Sequence, residues 1–259
     1  MNTSSLQKTL SKLNLGGLRY FDSIGSTNDE ALAWAAQGAP DLSIVAADEQ
    51  TSGRGREKRR WFTPAGTALA FSLILRPRAE ELPHLSRTVG LAAVALAESL
   101  RKRSLTPQIK WPNDLLLDRR KVAGILVEST WNGDAVDYVV IGIGVNVSRG
   151  AVPPPELLQF PATSLEHALD ESLKREELLR DILSALTEWR PRLGSEALLQ
   201  AWERDLAFRG EQVEVTGAEG RVTAGILLGL ESDGSLRLRD EHGNPVTVRF
   251  GDVRLRPAA

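Results

Sequence analysis

The sequence contains no cysteine. That removes disulfides, thiolate nucleophiles and cysteine-ligated zinc together, and it suits a reducing compartment. Histidine is scarce: His84, His167 and His242 lie far apart in unlike contexts, which is poor material for a histidine-dominated metal site or a Ser-His-Asp triad. No apolar run reaches membrane-spanning length, and the opening MNTSSLQKTLSKLNLGG is polar and lacks the pattern of a signal peptide. A soluble, cytoplasmic protein without a membrane partner is expected. Net charge is also small, −2 over 259 residues, so a sequence-independent grip on nucleic acid lacks the wide positive field it needs.

What is present suffices for a folded enzyme. At 42% hydrophobic, 259 residues can bury a full core, as one large domain or one domain with a small companion. RYFDSIGS reads as extended, and STNDEALAWAAQG as a helix with capping-box spacing from Thr27 to Glu30 and a stop at Gly38. Strands are expected over 43–50 and 67–77, joined by a basic loop. The segment 85–103 places Val89, Ala92, Ala93, Leu96, Ala97 and Leu100 on one helical face. A second block of strands follows in IKWPNDLLL, DRRKVAGILVEST and DAVDYVVIGIGVNVS. Helices then carry Leu178, Leu179, Ile182, Leu183, Leu186 and Trp189, and after a Ser195 cap, Leu198, Leu199 and Trp202. From Gly210 onward QVEVTG, RVTAGILLGLE, GSLRLRDE, NPVTVRF and DVRLRP are short strands between glycine turns, the pattern of a small SH3-like β-barrel. The expected organisation is an α/β (α+β) mixed-sheet domain over 1–209 and a barrel over 210–259. The N-terminal SLQKTLSKL reads as a remnant helix that packs on the domain or frays.

The basic loop raises the chemical question. From Gly53 to Arg60 the chain carries two glycines and five cations, Arg54, Arg56, Lys58, Arg59 and Arg60, against Glu57 alone. Guanidinium groups suit carboxylate and phosphate oxygens, and the glycines let backbone approach a ligand. Taken alone, a solvated charged loop explains the run about as well. In KWPNDLLLDRRKVAGILVE (110–128), Asn113 and Asp114 sit at a proline turn and Lys121 heads an apolar strand, which places a lysine at a sheet end near a cleft. A structural turn and hairpin is the plainer reading, yet Gly124 inside the strand is then unexplained. Gly142 and Gly144 in GIGVN face one side of a strand, a floor for a flat ligand. STN (26–28) reads first as a helix cap, and such a helix start also offers N–H groups and hydroxyls to a ligand.

Taken together, STN, QTSGRGREKRRW from Gln50, KWPNDLLLDRRKVAGILVE and GIGVNV, in this order and with a terminal β-barrel, resemble the biotin protein ligases over most of the chain from about residue 18. The resemblance implies a mixed-sheet catalytic domain of the biotin/lipoate ligase type. It implies a two-step reaction as well: biotin and ATP, with Mg²⁺, give biotinyl-5′-AMP, and biotin then passes to a lysine of a biotin carboxyl carrier protein. By the same resemblance Ser26, Thr27, Asn28 and Gln50 contact the biotin head group, and Gly53, Gly124, Gly142 and Gly144 line its pocket. Arg54 and Arg56 clamp carboxylate and phosphates. Arg59, Trp61, Lys110, Asn113 and Asn146 serve the nucleotide, with Trp61 closing the loop. The resemblance makes Lys121 the main catalytic residue, supported by Arg54, Arg56 and Asp114, with Asp114 also expected as a magnesium contact; by its position Asp114 is in addition the expected helper that deprotonates the acceptor lysine.

Two anions must meet when a carboxylate attacks an α-phosphate, so cations placed at both matter more than a general base. The loop is expected to be mobile without ligand and to order over the adenylate. Only about 17 residues precede the first strand, too few for a DNA-reading trihelical unit, so a ligase without DNA binding is expected; the family also allows a homodimer through the catalytic sheet. Rival readings are a lipoate protein ligase, a protein whose basic loop tracks nucleic acid phosphates, and an idle interaction protein on the same fold.

Overall fold

The computed structural model describes residues 1–217, 222–249 and the backbone of 254–257. Its first helix, α1 (Thr3–Leu10), is capped by Asn2, whose side chain accepts the Ser5 amide at 2.8 Å. Leu6 and Leu10 are buried, and the Ser5 hydroxyl donates to Glu176 on α5 (Arg175–Trp189). The remnant helix therefore packs.

A seven-stranded sheet forms the centre. It is built from β1 (Gly17–Ile24), β2 (Ser43–Gln50), β3 (Ala68–Leu75), β4 (Gln108–Lys110), β5 (Asp114–Leu117), β6 (Arg120–Asn132) and β7 (Ala135–Asn146), in the order β1-β2-β3-β7-β6-β5-β4. β1 and β2 are parallel, as the crossover helix α2 (Thr27–Ala36) between them requires, and the other pairs are antiparallel. On one face α3 (Thr88–Arg101) and α5, with α6 (Glu196–Arg204) packed on α3, cover Ile44, Phe71, Leu73, Ile141 and Ile143. On the other, α2 covers Val45, Ile74 and Val140 with Ala31 and Ala35. Along β7 that second face runs Val140, Gly142, Gly144, Asn146, and along β3 Ile74, Ser72, Ala70, Ala68. Large side chains lie under the helix and small ones beyond its start. The alternation of the strands thereby opens a crevice at the N-terminus of α2.

Two expectations need correction. Ser26, not Thr27, caps α2, with its side chain accepting the Asp29 amide, while Glu30 pairs with Arg19. The helix expected over 85–103 begins at Thr88, after a 3₁₀ segment over Leu82–Arg87, and is buried on nearly all sides, with Val89 only half-buried. It is sandwiched between the sheet and α5 and α6, so a one-faced pattern understates its burial. Gly90 is where Trp202 of α6 lies against α3: an added Cβ would fall well inside the indole's contact distance. Gly90→Ala is expected to cost about 2–3 kcal/mol by overpacking, read as a lower urea midpoint with an unchanged m-value.

After the short α4 (Leu165–Leu169) and the two longer helices, a second sheet closes the chain. Strands β8 (Gln212–Thr216), β9 (Val222–Leu230), β10 (Leu236–Arg239), β11 (Pro245–Val248) and β12 (Arg254–Pro257) run in the order β11-β10-β9-β8-β12, all antiparallel, so the last strand returns beside the first. Arg221, Phe250 and residues 252–253 of the expected strands lie outside the described residues. One apolar cluster includes Val213, Val215, Leu227, Leu236 and Leu238 together with the core of the large sheet. Three successive carbonyls of the β9–β10 turn also reach the large domain: Ser232 accepts from Arg87 Nε at 2.7 Å, Asp233 from Ser86 Oγ at 2.9 Å, and Gly234 from Trp111 Nε1 at 3.0 Å. Among the described residues no helix is long and apolar enough to cross a membrane.

Candidate active site

The crevice has a glycine floor. Gly124 of β6 lies directly opposite Gly144 of β7, and Leu126 opposite Gly142. A Cβ on Gly142 would collide with the Asn28 carboxamide, and one on Gly144 with the Trp61 indole; at Gly124 it would meet Trp61 at 3.2 Å and Lys121 Nζ at 3.3 Å. Only backbone fits beneath those side chains. Lys121 and Gly124 are three residues apart, and strict alternation would send them to opposite faces. A register shift against β5, where Leu115 pairs with Ala123 and Leu116 with Lys121, inserts one residue and re-aims the lysine into the crevice.

The start of α2 forms the inner wall. Ser26, Thr27 and Asn28 are buried there. Gln50 Oε1 accepts from the Thr27 amide at 2.9 Å and from its hydroxyl at 3.1 Å, and Gln50 Nε2 donates to Thr63 Oγ1 at 3.2 Å. Ser72 Oγ lies 2.6 Å from Asn28 Oδ1 and 2.9 Å from Thr27 Oγ1, and Asn28 Nδ2 donates to Glu128 at 2.8 Å. Sequence reasoning missed Ser72, Thr63 and Glu128. A serine in the otherwise apolar β3 and a glutamate ending the ILVE run were the signals available.

The basic loop is a hairpin at its base. Trp61 N–H donates to the Gly53 carbonyl and Gly55 N–H to that of Arg59, both at 2.8 Å, and Arg54 and Arg60 form a bridge pair. The tip over Arg56–Lys58 carries positive φ at Glu57 and Lys58, and Glu57 pairs with Arg59. Gly53 is buried beneath the Trp61 backbone and lines the groove on the α3 side of the loop rather than the glycine-floored cleft. Arg54, expected to clamp an anion, is held by two carboxylates, Asp29 and Glu128. Burial disfavours its charge, but those two partners outweigh that and raise its pKa. Arg56, Arg59 and Trp61 line the cleft. The Trp61 Nε1 and Arg59 Nε atoms are buried there without an acceptor.

Facing the loop is a cluster of opposite charges. Lys121 Nζ lies 2.6 Å from Asp114 Oδ1 and 5.4 Å from the Trp61 ring centre, while Lys110 Nζ lies 3.6 Å from Asp114 Oδ2. Asp114 is the first residue of β5 rather than part of the preceding turn. Burial would push its carboxyl up, but Lys121 and Lys110 beside it hold it below the usual carboxylate range. A carboxylate so stabilised is a poor base, which argues against Asp114 as the helper of the acceptor lysine. Its two oxygens face the lysines rather than the open cleft, so a magnesium ion carried on substrate phosphates would have to displace one of those pairings to reach it. Asn113, expected at the nucleotide, donates to the Ile125 carbonyl at 2.8 Å and accepts the Ile125 amide on its own carbonyl, so it fixes the turn against β6.

The sign of the Asp114 shift sets a pH dependence. A depressed folded-state pKa contributes stability that is complete above the unfolded value of about 3.9 and is lost as pH falls through the folded value. Asp114→Asn is therefore expected to lower the melting temperature at pH 7 and to differ progressively less from the native protein below about pH 4, in paired thermal melts across that range.

The outer wall was not foreseen at all. Residues 151–162 curl back so that the Lys121 amide donates to the Pro161 carbonyl at 2.7 Å and the Thr163 amide to the Lys121 carbonyl at 2.9 Å. Asn146 Nδ2 donates to the Thr163 carbonyl at 3.0 Å, and Phe160 lies against Lys110 Nζ, 4.4 Å from the ring centre. Leu157, Leu158 and Phe160 thus face Lys110, Asp114, Lys121 and Asn146 across an open pocket with Phe62 at its rim. The sequence of this segment, PPPELLQFPA over 153–162, gives no sign of it. The cleft therefore has a narrow glycine-floored inner end, a ring of cations, and a wider outer end with an apolar wall.

Comparison with known proteins agrees with this geometry. The model of the biotin/lipoate A/B protein ligase family matches residues 20–146. The biotin--[acetyl-CoA-carboxylase] ligase of Paracoccus denitrificans is 36% identical over 231 residues, covering 85% of this chain and 93% of the relative. The bifunctional ligase/repressor BirA of Bacillus subtilis is 34% identical over 232 residues, 87% of this chain and 70% of the relative. Among solved structures, the Aquifex aeolicus biotin protein ligase in complex with biotin and ATP superposes with a TM-score of 0.81 at 26% identity, covering 93% of this chain and 99% of that one.

Proposed function

The chain belongs to the biotin/lipoate A/B protein ligase family, and from that premise we propose how its cleft performs the reaction of a biotin--[acetyl-CoA-carboxylase] ligase. Biotin and ATP are its substrates, as the biotin-and-ATP complex of its structural relative supports. Biotin enters the inner end, where Ser26, Thr27, Asn28 and Gln50 present donors and acceptors above Gly142 and Gly144. The nucleotide takes the outer end, between Phe160 with its apolar neighbours and the Lys110, Lys121 and Asn146 side chains. The single observation that carries this reading is the position of Lys121, which lines both ends of the cleft.

In the first step a biotin carboxylate oxygen forms a bond to the α-phosphorus and the bond to the pyrophosphate oxygen breaks. Two anions converge, and Lys121 with Arg56 and Arg59 offsets their repulsion in a site partly closed to water. Asp114 orients Lys121 from behind, and Lys110 keeps that carboxylate ionised. Trp61 and its unpartnered Nε1 lie over the floor at the junction of the two ends, where an oxygen of the mixed anhydride can accept. In the second step the amine of the carrier lysine attacks the acyl carbon, AMP leaves, and the amine loses a proton to solvent or to AMP. Magnesium accompanies the triphosphate, and no step is assigned to a protein-held ion.

The acceptor is a biotin carboxyl carrier domain, and the reaction takes place in the cytoplasm, where ATP is held. We assign no DNA partner, in keeping with the net charge of −2. We read the division at 209/210 as a division of labour, which the bracing of the Trp111 turn by the Gly234 carbonyl of the small sheet supports. A homodimer through the catalytic sheet would use β1, which has one strand neighbour. The test is pyrophosphate release without acceptor. A biotin-dependent burst of about one equivalent per site, followed by a slow phase, is expected because the adenylate is retained; absence of any biotin-dependent release refutes the reading.

A further inference from the structure

We infer that Glu128 is a positioning residue for the biotin end of the site, holding Arg54 as an anchor of the basic loop rather than leaving it as a clamp for the ligand's anion. The inference rests on the assignment of biotin to the glycine-floored pocket. Glu128 follows Gly124 and Leu126 on the same face of β6, so its side chain emerges beside the floor at the start of α2. One of its oxygens accepts from Asn28 Nδ2 at 2.8 Å and the other pairs with Arg54. Asn28 is buried against Gly142 and held by Ser72 on its other side. A single carboxylate therefore fixes a wall of the pocket and the root of the loop at once.

Charge balance decides what Arg54 does. With Asp29 and Glu128 both against it, the cluster is net negative and does not attract a second carboxylate or a phosphate. Its guanidinium, about one-third exposed, is occupied on two sides. The pairing instead ties the hairpin base to two rigid elements, α2 and β6. Beyond it the base is zipped by the Trp61 and Gly55 amides, and the tip with Arg56 and Arg59 is left to follow the ligand. Loop movement on binding is thus confined to about residues 55–59, not the whole of 53–60.

Glu128→Gln is the discriminating change, since a glutamine of equal size can serve Asn28 or Arg54 but not both. If Glu128 positions Arg54, the biotin KM rises about tenfold while the ATP KM moves less than about twofold, and in ligand-free protein the Gly55 and Trp61 amides exchange hydrogen about tenfold faster. Arg54→Ala gives the same pattern, and the double variant is no worse than Arg54→Ala, the non-additivity of two residues in one contact. If Arg54 is a ligand clamp restrained by Glu128, freeing it lowers the biotin KM, which overturns the proposal. An unchanged biotin KM, or equal rises for biotin and ATP, overturns it as well. Should Glu128→Gln fail to fold, Asp29→Asn loosens the same anchor from its exposed side, and unaltered exchange and KM in that variant refute it. Hydrogen exchange is read without substrate, so it judges the anchor even if biotin proves to be the wrong ligand.

Discussion

Lys121→Ala is expected to slow biotinyl-AMP formation by about 10²–10³-fold, the loss seen when one preorganised group facing developing charge is removed. The structure gives two reasons for an effect of that size. Lys121 lines both ends of the cleft together with Lys110, Arg59 and Arg60, and it alone of these is aimed there by the register shift at β5 and by an Asp114 contact of 2.6 Å. A mobile surface lysine would bring its charge to the phosphate only at an entropic cost; this one is oriented before the substrate arrives.

A lysine at a cleft suggests a change neutral for the fold, and the structure corrects that expectation. Asp114 is buried, and without Lys121 its remaining ion-pair partner is Lys110 at 3.6 Å, with Arg59 acting on it at longer range. Lys121→Ala should therefore also cost stability, about 1–3 kcal/mol, as a buried carboxylate loses its nearer partner. The double variant Lys121→Ala/Asp114→Asn separates the two effects. It should recover most of the melting temperature and none of the adenylation rate. Recovery of activity together with stability would show that Lys121 serves only the fold.

The second large effect is expected at Gly144. Its added Cβ would overlap the Trp61 indole, and Trp61 cannot retreat without lifting the loop base that its own amide closes onto Gly53. Gly144→Ala should weaken biotin binding by about 10–100-fold, the cost of a misfitting methyl group in a close-fitting pocket, and leave ATP binding within about threefold. Stability should hardly fall, because alanine is a better strand residue than glycine. Isothermal titration with biotin alone and melting curves on the same samples read both quantities. Equal weakening for biotin and ATP would mean that the glycine floor does not belong to biotin.

Much of this site was legible because its chemistry is carried by residues that make poor structural choices. Glycines at 124, 142 and 144 weaken strands, and five cations around two glycines do nothing for a core; each anomaly marked its place in the chain. Elements with a strong period were legible too: β2, β3, β7 and α5 lie where alternation and helical spacing put them. The start of α3 was misplaced because 3₁₀ and α turns share the same apolar residues over 82–88. Residues that work by position rather than by type stayed hidden. Glu128 reads as the end of a strand, Asp29 as an ordinary first-turn acid, and Phe160 as one aromatic in a proline-containing loop. They meet the motifs only through pairings between distant parts of the chain, such as Asn28 with Glu128, 100 residues apart. Arg54 shows the converse: its type was read correctly and its partners were not, since a sequence shows the charge of a side chain without the two carboxylates that neutralise it.

The central claim is that this cleft joins biotin to a carrier lysine by way of ATP. Intact mass spectrometry of a purified biotin carboxyl carrier domain, incubated with the protein, MgATP and either biotin or lipoate, tests it most directly. A mass gain equal to one biotin, absent without ATP and absent with lipoate, is the predicted result. A gain with lipoate and none with biotin, or no gain with either on a carrier that an established ligase modifies, would contradict it.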